Sequence, residues 1–226
     1  MTDQSLRELE LVDLKKGMPL SEAVYRSLCQ ALHEGRYRSG DRLREEEIAK
    51  QLKVSRTPVR EALGRLLAKG FVEPAGGRGL VVRSLNTAEV FELYAMREIL
   101  EGAAARLAAQ HASSSEIDAL IDLENAFEAR VNDPVEMARL NGAFHETIFR
   151  SARNRYLDSA LKELQDGIAL LGSTTFSIAE RASTAAAEHR ALIDAITARD
   201  VDRAENAARL HIRESLRSRL KLLHER

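Results

Sequence analysis

The chain has 226 residues, 44% of them apolar, 31% charged and 4% aromatic, proportions that exclude a disordered, collagen-like or disulfide-stapled protein. The net charge of −1 hides an asymmetry, because there are 16 basic and 12 acidic residues up to Arg83 and 18 and 23 beyond it. A basic module suited to nucleic acid therefore precedes an acidic one with another task, and the length accommodates both. The single cysteine, Cys29, lies among Val24, Leu28 and Leu32 and reads as a small core side chain in a reducing, cytoplasmic protein. No run approaches the ~20 apolar residues of a bilayer span, and the polar start from Met1 to Glu10 lacks a signal-peptide core, so no membrane partner is expected.

From the N-terminus, Leu20, Val24, Leu28 and Leu32 recur every four positions and give the first helix one apolar stripe, and Gly35 and Gly40 bracket the turn that follows. A short helix from Glu45 to Leu52, the tripeptide Lys53-Val54-Ser55 and a helix over 56–69 have helix-turn-helix spacing. In that third helix Val59, Ala62, Leu63, Leu66 and Leu67 share the face to be buried. Ser55 is placed to cap it, and Pro58 fits its first turn, where a missing N–H costs little. The opposite face presents Arg56, Thr57 and Arg60. Two guanidiniums one turn apart at the start of a helix suit the major groove, where each can pair with O6 and N7 of a guanine. Phe71-Val72-Glu73 and Leu80-Val81-Val82 read as the strands of a hairpin whose glycine-rich tip carries Arg78, within reach of a phosphate or the minor groove.

Eight of the twelve glycines fall at or before Gly79, and from Thr87 onward alanine, leucine, glutamate and arginine dominate with helical periodicity. Six helices are predicted, over 87–111, 115–131, 134–152, 155–174, 177–199 and 201–223. Ser113 to Ser115, Asn132-Asp133-Pro134, Arg153-Asn154 and Asp200 supply caps and breaks between them. The expected fold is mainly α: a winged helix-turn-helix over 1–83, then an all-α antiparallel bundle of six or seven helices over 84–226.

Within the bundle, Asn141 and His145 lie one above the other on a helix face that continues through Ile148 and Ala152. His189 shares its face with Leu192, Ile193 and Ile196, and His211 lies on the stripe Ala204, Ala207, Ala208, Ser215. Interior imidazoles without partners cost free energy. Convergence would remove that cost, since three neutral imidazoles and an amide oxygen can hold Zn²⁺, or Ni, Mn or Fe, with positions left for water or a ligand. The spacings of 44 and 22 residues are not those of a compact zinc motif, so spacing alone leaves core histidines and metal ligands both open. His33, His111 and His224 lack such company and read as surface residues. A metal-dependent hydrolase is the enzymatic alternative. His145-Glu146-Thr147-Ile148-Phe149 fails the H-E-x-x-H pattern and no Glu-x-x-His pair occurs, so no catalytic residue is assigned and the chain is read as a non-enzyme.

Two stretches carry a family resemblance. Leu43-Arg44-Glu45-Glu46-Glu47-Ile48-Ala49, Val54-Ser55-Arg56-Thr57-Pro58-Val59-Arg60-Glu61-Ala62-Leu63, Leu66 and Gly70-Phe71-Val72 resemble the DNA-binding domain of GntR superfamily transcription regulators. The resemblance implies that Arg56 and Arg60 read bases, that Ser55 and Thr57 touch the backbone, and that the hairpin tip with Arg78 and Gly79 enters the minor groove. Some members add an arginine in the second helix; this chain has Glu46 there. Arg97-Glu98-Ile99-Leu100-Glu101, Asn141-x-x-Phe144-His145, Asn154-x-x-Leu157, Glu188-His189-x-x-Leu192-Ile193 and Asp200 through His211 resemble the FCD ligand-binding domain of the FadR subfamily, VanR-type branch. The resemblance implies a divalent metal on Asn141, His145, His189 and His211, with Asn141 standing where an aspartate is usual. It also implies a small carboxylate effector held by Arg97 and Asn154, a homodimer, and a palindromic DNA operator. The expectation is a transcriptional repressor whose operator binding responds to that effector. The alternative is a structural DNA-binding protein with a metal-stapled dimer domain and no effector response.

Overall fold

The computed structural model describes residues 9–12, 17–76, 79–172 and 174–224. Among them the chain forms two compact units, one comprising residues up to Asn86 together with Gln165–Gly172, the other Thr87–Leu164 with the residues from 174 onward.

The first unit contains α1 (Leu20–His33), β1 (Arg42–Leu43), α2 (Glu45–Leu52), α3 (Arg56–Ala68), β2 (Val72–Pro74) and β3 (Leu80–Val82). Val24, Leu28 and Leu32 of α1 are buried against Val59, Ala62, Leu63 and Leu66 of α3, and each large apolar side chain so enclosed contributes roughly 1.5 to 3 kcal/mol. Leu20 and Leu67, at the two ends of those stripes, stay exposed. Lys53 ends α2 in the left-handed conformation (φ 54°), the sharp reversal that sets α3 across α2. Ser55 occupies the N-cap of α3, but its side chain makes no capping hydrogen bond, contrary to the sequence expectation. The strands form an antiparallel sheet in the order β1-β3-β2, with Leu43 opposite Leu80 and Val72 opposite Val82. β1 went unnoticed in the sequence because two residues are too short to show alternation. Gly79, at the start of β3, has φ +107°, a conformation closed to other residues. Leu170 completes this core. Lys69 on α3 pairs with Asp166 at 3.2 Å.

Six α-helices follow: α4 (Thr87–His111), α5 (Ser114–Glu128), α6 (Pro134–Ser151), α7 (Arg155–Ile168), α8 (Ala179–Thr197) and α9 (Val201–His224). α7 stops at Ile168 rather than continuing to 174, giving way to a 3₁₀ turn at Ala169–Leu171 and then Gly172 at φ +74°. Ser113 and Glu116 form a capping box that starts α5, Asp133 caps α6 with Pro134 at its first position, and Asp200 accepts the Arg203 N–H at the start of α9. α4 is central, packing on α6, α8 and α9 through Ala104, Ala105, Ala108 and Ala109, all buried. Gly102 has no side chain where the Arg209 stem of α9 crosses, since a Cβ there would stand 2.8 Å from Arg209 Cγ. Small residues on α4 therefore bring its neighbours close enough for side chains from α6, α8 and α9 to meet.

Candidate metal centre and nucleic-acid interface

α6 supplies His145, α8 His189 and α9 His211, and all three are buried with one nitrogen each inside a 4.8 Å cluster. Each imidazole turns Nδ1 to a different carboxylate, two of them buried and that of Glu188 partly so. His145 Nδ1 lies 2.8 Å from Glu101 of α4, His189 Nδ1 2.6 Å from Glu124 of α5, and His211 Nδ1 2.7 Å from Glu188 of α8. With the proton of His145 and His211 on Nδ1, facing Glu101 and Glu188, their Nε2 atoms are acceptors turned inward, and His189 matches them once Glu124 is ionised. In that form His145 and His211 Nε2 place two lone pairs 3.2 Å apart, a repulsion relieved by a cation or a proton between them. That separation is close to the ~3.3 Å between two nitrogens on one tetrahedral Zn²⁺ at ~2.05 Å each. His189 Nε2 and Asn141 Oδ1 are both buried and have no hydrogen-bond partner. Buried polar atoms are ordinarily satisfied, so an unpartnered His189 Nε2 in the cluster, and Asn141 Oδ1 one helical turn before His145, fit a cation. The carboxylate–histidine pairing is also what metal sites use to fix the tautomer and orientation of a ligand.

Burial, reinforced by the positive groups around them, holds the His189 and His211 pKa values well below the ordinary 6.5. Of the carboxylates, Glu101 is buried, which would raise its pKa, but Arg97 and His145 bring it down to about 2. Arg97 Nε donates to Glu101 Oε1 at 2.8 Å, and its guanidinium lies over the Tyr94 ring. Arg181 forks onto Glu188 with both bonds at 2.9 Å, and burial still leaves Glu188 above its usual range. Among the described residues no arginine pairs with Glu124, and Arg190 acts on it only through space. Burial, with Glu128 nearby, pushes the Glu124 pKa up to about 8. Phe144 stacks on His189 with ring centres 4.4 Å apart and Phe127 meets it edge-on, walls that exclude water from that imidazole.

On the first unit, Arg56, Thr57 and Arg60 are exposed on α3, with Ser55 beside them. Both arginines lean on α2: Arg60 forks onto Glu45 with two bonds of 3.0 Å, and Arg56 reaches Glu46 at 2.9 Å and Glu45 at 3.3 Å. A pair of helices joined by a tight turn, an exposed basic edge on the second and a three-stranded wing constitute a winged helix-turn-helix.

Comparison with known proteins agrees at both ends. Residues 20–82 match the bacterial regulatory proteins of the gntR family, and residues 92–214 match the FCD domain. The chain is a GntR-family transcriptional regulator. It is 38% identical over 133 residues to the Nta operon transcriptional regulator of Aminobacter aminovorans, a match spanning 58% of this chain and 63% of that protein. It is 34% identical over 186 residues, 79% of each chain, to the probable D-xylose utilization operon transcriptional repressor of Paenarthrobacter nicotinovorans. The solved structure of E. coli McbR/YncC has the same fold, with a TM-score of 0.84, 20% identity and coverage of 91% of this chain and 99% of that one. DNA binding in the service of transcription follows from this membership, and the FCD domain fits the FadR-type branch of the GntR family.

Within that family frame the FCD residues named from sequence divide. His145, His189 and His211 converge, and Asn141 lies one turn before His145 on α6. Arg97 lies in the same polar core through Glu101. Asn154 does not join them: it is exposed, and its Oδ1 accepts from the Tyr156 and Leu157 N–H groups to cap α7. His111 and His224 are exposed. Gly79 ends the wing tip, while Arg78 and Gly77 lie outside the described residues. Sequence reasoning missed Glu101, Glu124, Glu188 and Arg181. The signal was available, since Glu101, Glu124 and Glu188 lie on apolar helix faces where an acid is costly without a partner.

Proposed function

We propose that this GntR regulator is a repressor that binds a palindromic operator as a homodimer and releases it when a small carboxylate enters the FCD domain. The observation that carries the FCD half is the cluster of three buried imidazoles, each backed by its own glutamate, with His189 Nε2 and Asn141 Oδ1 left unpartnered. These three histidines with Asn141 would hold a divalent ion, and nitrogen-rich neutral ligands favour Zn²⁺ over harder ions. When bound, the ion supplies a Lewis-acidic attachment point for a carboxylate oxygen. Arg97 anchors Glu101, and through it His145, and offers its remaining N–H donors to an anion. Burial by Phe144 and Phe127 keeps His189 dry.

On the DNA side, Arg56 and Arg60 read bases, Ser55 and Thr57 meet phosphates, and the wing with Arg78 and Gly79 reaches the minor groove. One short helix makes too few base contacts for a specific site, so two-fold symmetry with two half-sites is required. Repression is supported by the similarity to the Paenarthrobacter protein, a probable operon repressor. An effector acts only through a difference in its affinity for the DNA-competent and DNA-incompetent states.

The test is metal content by elemental analysis, with calorimetric titration of acetate, lactate and succinate, on wild type, His189→Ala and Arg97→Lys. His189→Ala is expected to lose the metal and the carboxylate response while still binding operator. Arg97→Lys keeps a charge beside Glu101 but loses the planar fork, so it should retain the metal and bind carboxylates more weakly. Full metal occupancy in His189→Ala would return the three histidines to core residues.

A further inference from the structure

The first turn of α2 carries three glutamates, Glu45, Glu46 and Glu47, on the face beside α3 where phosphates would repel them. Acidic residues favour a helix N-terminus, and Glu47, paired with Arg44, needs no further account. Glu45 is different because both of its oxygens are turned to α3. Oε1 accepts from Arg60 Nε, and Oε2 accepts from Arg60 Nη2 and from Arg56 Nη2. Its side chain is 27% exposed against 66% for Arg60, so the carboxylate is the fixed member of the pair. Arg60 and Arg56 together hold its pKa below the usual carboxylate range, against the effect of burial.

A guanidinium has five N–H donors arranged in planar forks. Glu45 takes the fork of Arg60 that contains Nε, which leaves the fork formed by Nη1 and the second proton of Nη2. That outer fork is the one that matches O6 and N7 of guanine. Arg56 is held differently, since Nη1 goes to Glu46 and Nη2 to Glu45, so α2 engages its outer fork. Arg60 is thus presented with its outer fork open, whereas Arg56 exchanges Glu46 and Glu45 for a base on binding, so freeing it by Glu46→Gln removes no preset outer fork.

We propose that Glu45 is a positioning residue for base recognition, fixing Arg60 with its outer fork open so that sequence discrimination depends on a carboxylate that touches no base. The inference rests on Arg60 reading a base. Removing Glu45 has two effects of opposite sign. One negative charge fewer strengthens attraction to any DNA. A freed Arg60 must be ordered on binding and can settle on phosphates instead, so discrimination falls. Glu46 supplies the control, because it lies one residue away, carries the same charge and does not touch Arg60.

The experiment uses full-length protein, the 20-base-pair duplex that wild type enriches from a randomised pool, and a shuffled duplex of the same composition. Both affinities are measured at one fixed ionic strength for wild type, Glu45→Gln, Glu46→Gln, Arg60→Gln and Glu45→Gln/Arg60→Gln, with thermal melts confirming the fold. Both glutamate variants are expected to bind the shuffled duplex more tightly, by similar factors. A bidentate arginine–guanine pair carries roughly 5- to 150-fold of discrimination, and Glu45→Gln should forfeit roughly 3- to 10-fold of it while Glu46→Gln keeps the wild-type ratio. In the Arg60→Gln background Glu45→Gln should change the ratio no further. Equal ratios for Glu45→Gln and Glu46→Gln, or full additivity with Arg60→Gln, overturn the positioning role. A wild-type ratio in Arg60→Gln instead overturns the base contact on which it rests.

Discussion

Replacing Glu124 by glutamine isolates the one carboxylate of the polar core that has no arginine. Glu101 and Glu188 are neutralised by Arg97 and Arg181, so removing either leaves a buried guanidinium unpaired, a fault of about 3 to 5 kcal/mol in the fold itself. Among the described residues Glu124 hydrogen-bonds His189, and Arg190, which acts on it through space, is held by Glu128. Its substitution therefore changes the charge behind one ligand and little else. Loss of a carboxylate behind a ligating histidine costs about 10- to 100-fold in metal affinity, or roughly 1.4 to 2.8 kcal/mol. A second readout is the proton count. With a pKa of about 8, Glu124 is about nine-tenths protonated at pH 7 without metal. A cation on His189 Nε2 fixes the other imidazole proton on Nδ1, which requires an ionised acceptor at 2.6 Å. Wild type should thus release about one proton more per metal at pH 7 than Glu124→Gln, and the difference should vanish at pH 9. Calorimetric titration of Zn²⁺ in buffers of different ionisation enthalpy measures both quantities. Equal affinity and equal proton release in the two proteins would refute the reasoning.

Two further outcomes follow from the same core. His189 and His211 have folded pKa values depressed below 6.5, so metal should be retained as pH falls through 6.5 and lost only well below it; a loss midpoint at 6.5 or above is the contrary result. For the metal-free protein the sign is that of any depressed group: the stability tied to these neutral imidazoles is complete above 6.5 and drains as pH falls toward their folded values, which thermal melts between pH 7.5 and 5 will show. Phe144→Ala should cost about 3 to 5 kcal/mol in chemical denaturation, since Phe144 is fully buried, and should weaken metal binding by removing the ring stacked on His189; a cost under about 1 kcal/mol would contradict this packing.

The parts of the fold legible in the sequence are those governed by local rules. Periodicity marked α1, α3 and α4, and the caps at Ser113, Asp133 and Asp200 were visible because a capping side chain bonds within three residues of itself. What escaped depends on distant partners. β1 is a strand only because Leu43 finds Leu80, and Asn154 could be taken for an effector contact because a capping asparagine and a binding asparagine look alike in sequence. The histidines were legible as a set through their helix faces, but the glutamates behind them were not, since Glu124 and His189 are 65 positions apart and no spacing rule links them.

Those glutamates change what the histidine cluster means. A core stripe can tolerate one histidine that finds a single acceptor, and three such histidines would be an expensive coincidence. Here each has its own carboxylate beside its outer nitrogen, so a neutral imidazole that donates outward presents a lone pair inward. Two buried arginines hold two of the three acids in place, which fixes the imidazoles further and adds desolvation that packing alone would not call for. An apolar core of the same volume would be more stable. The occupant we propose, a divalent cation, accepts the inward lone pairs and favours the ionised form of Glu124.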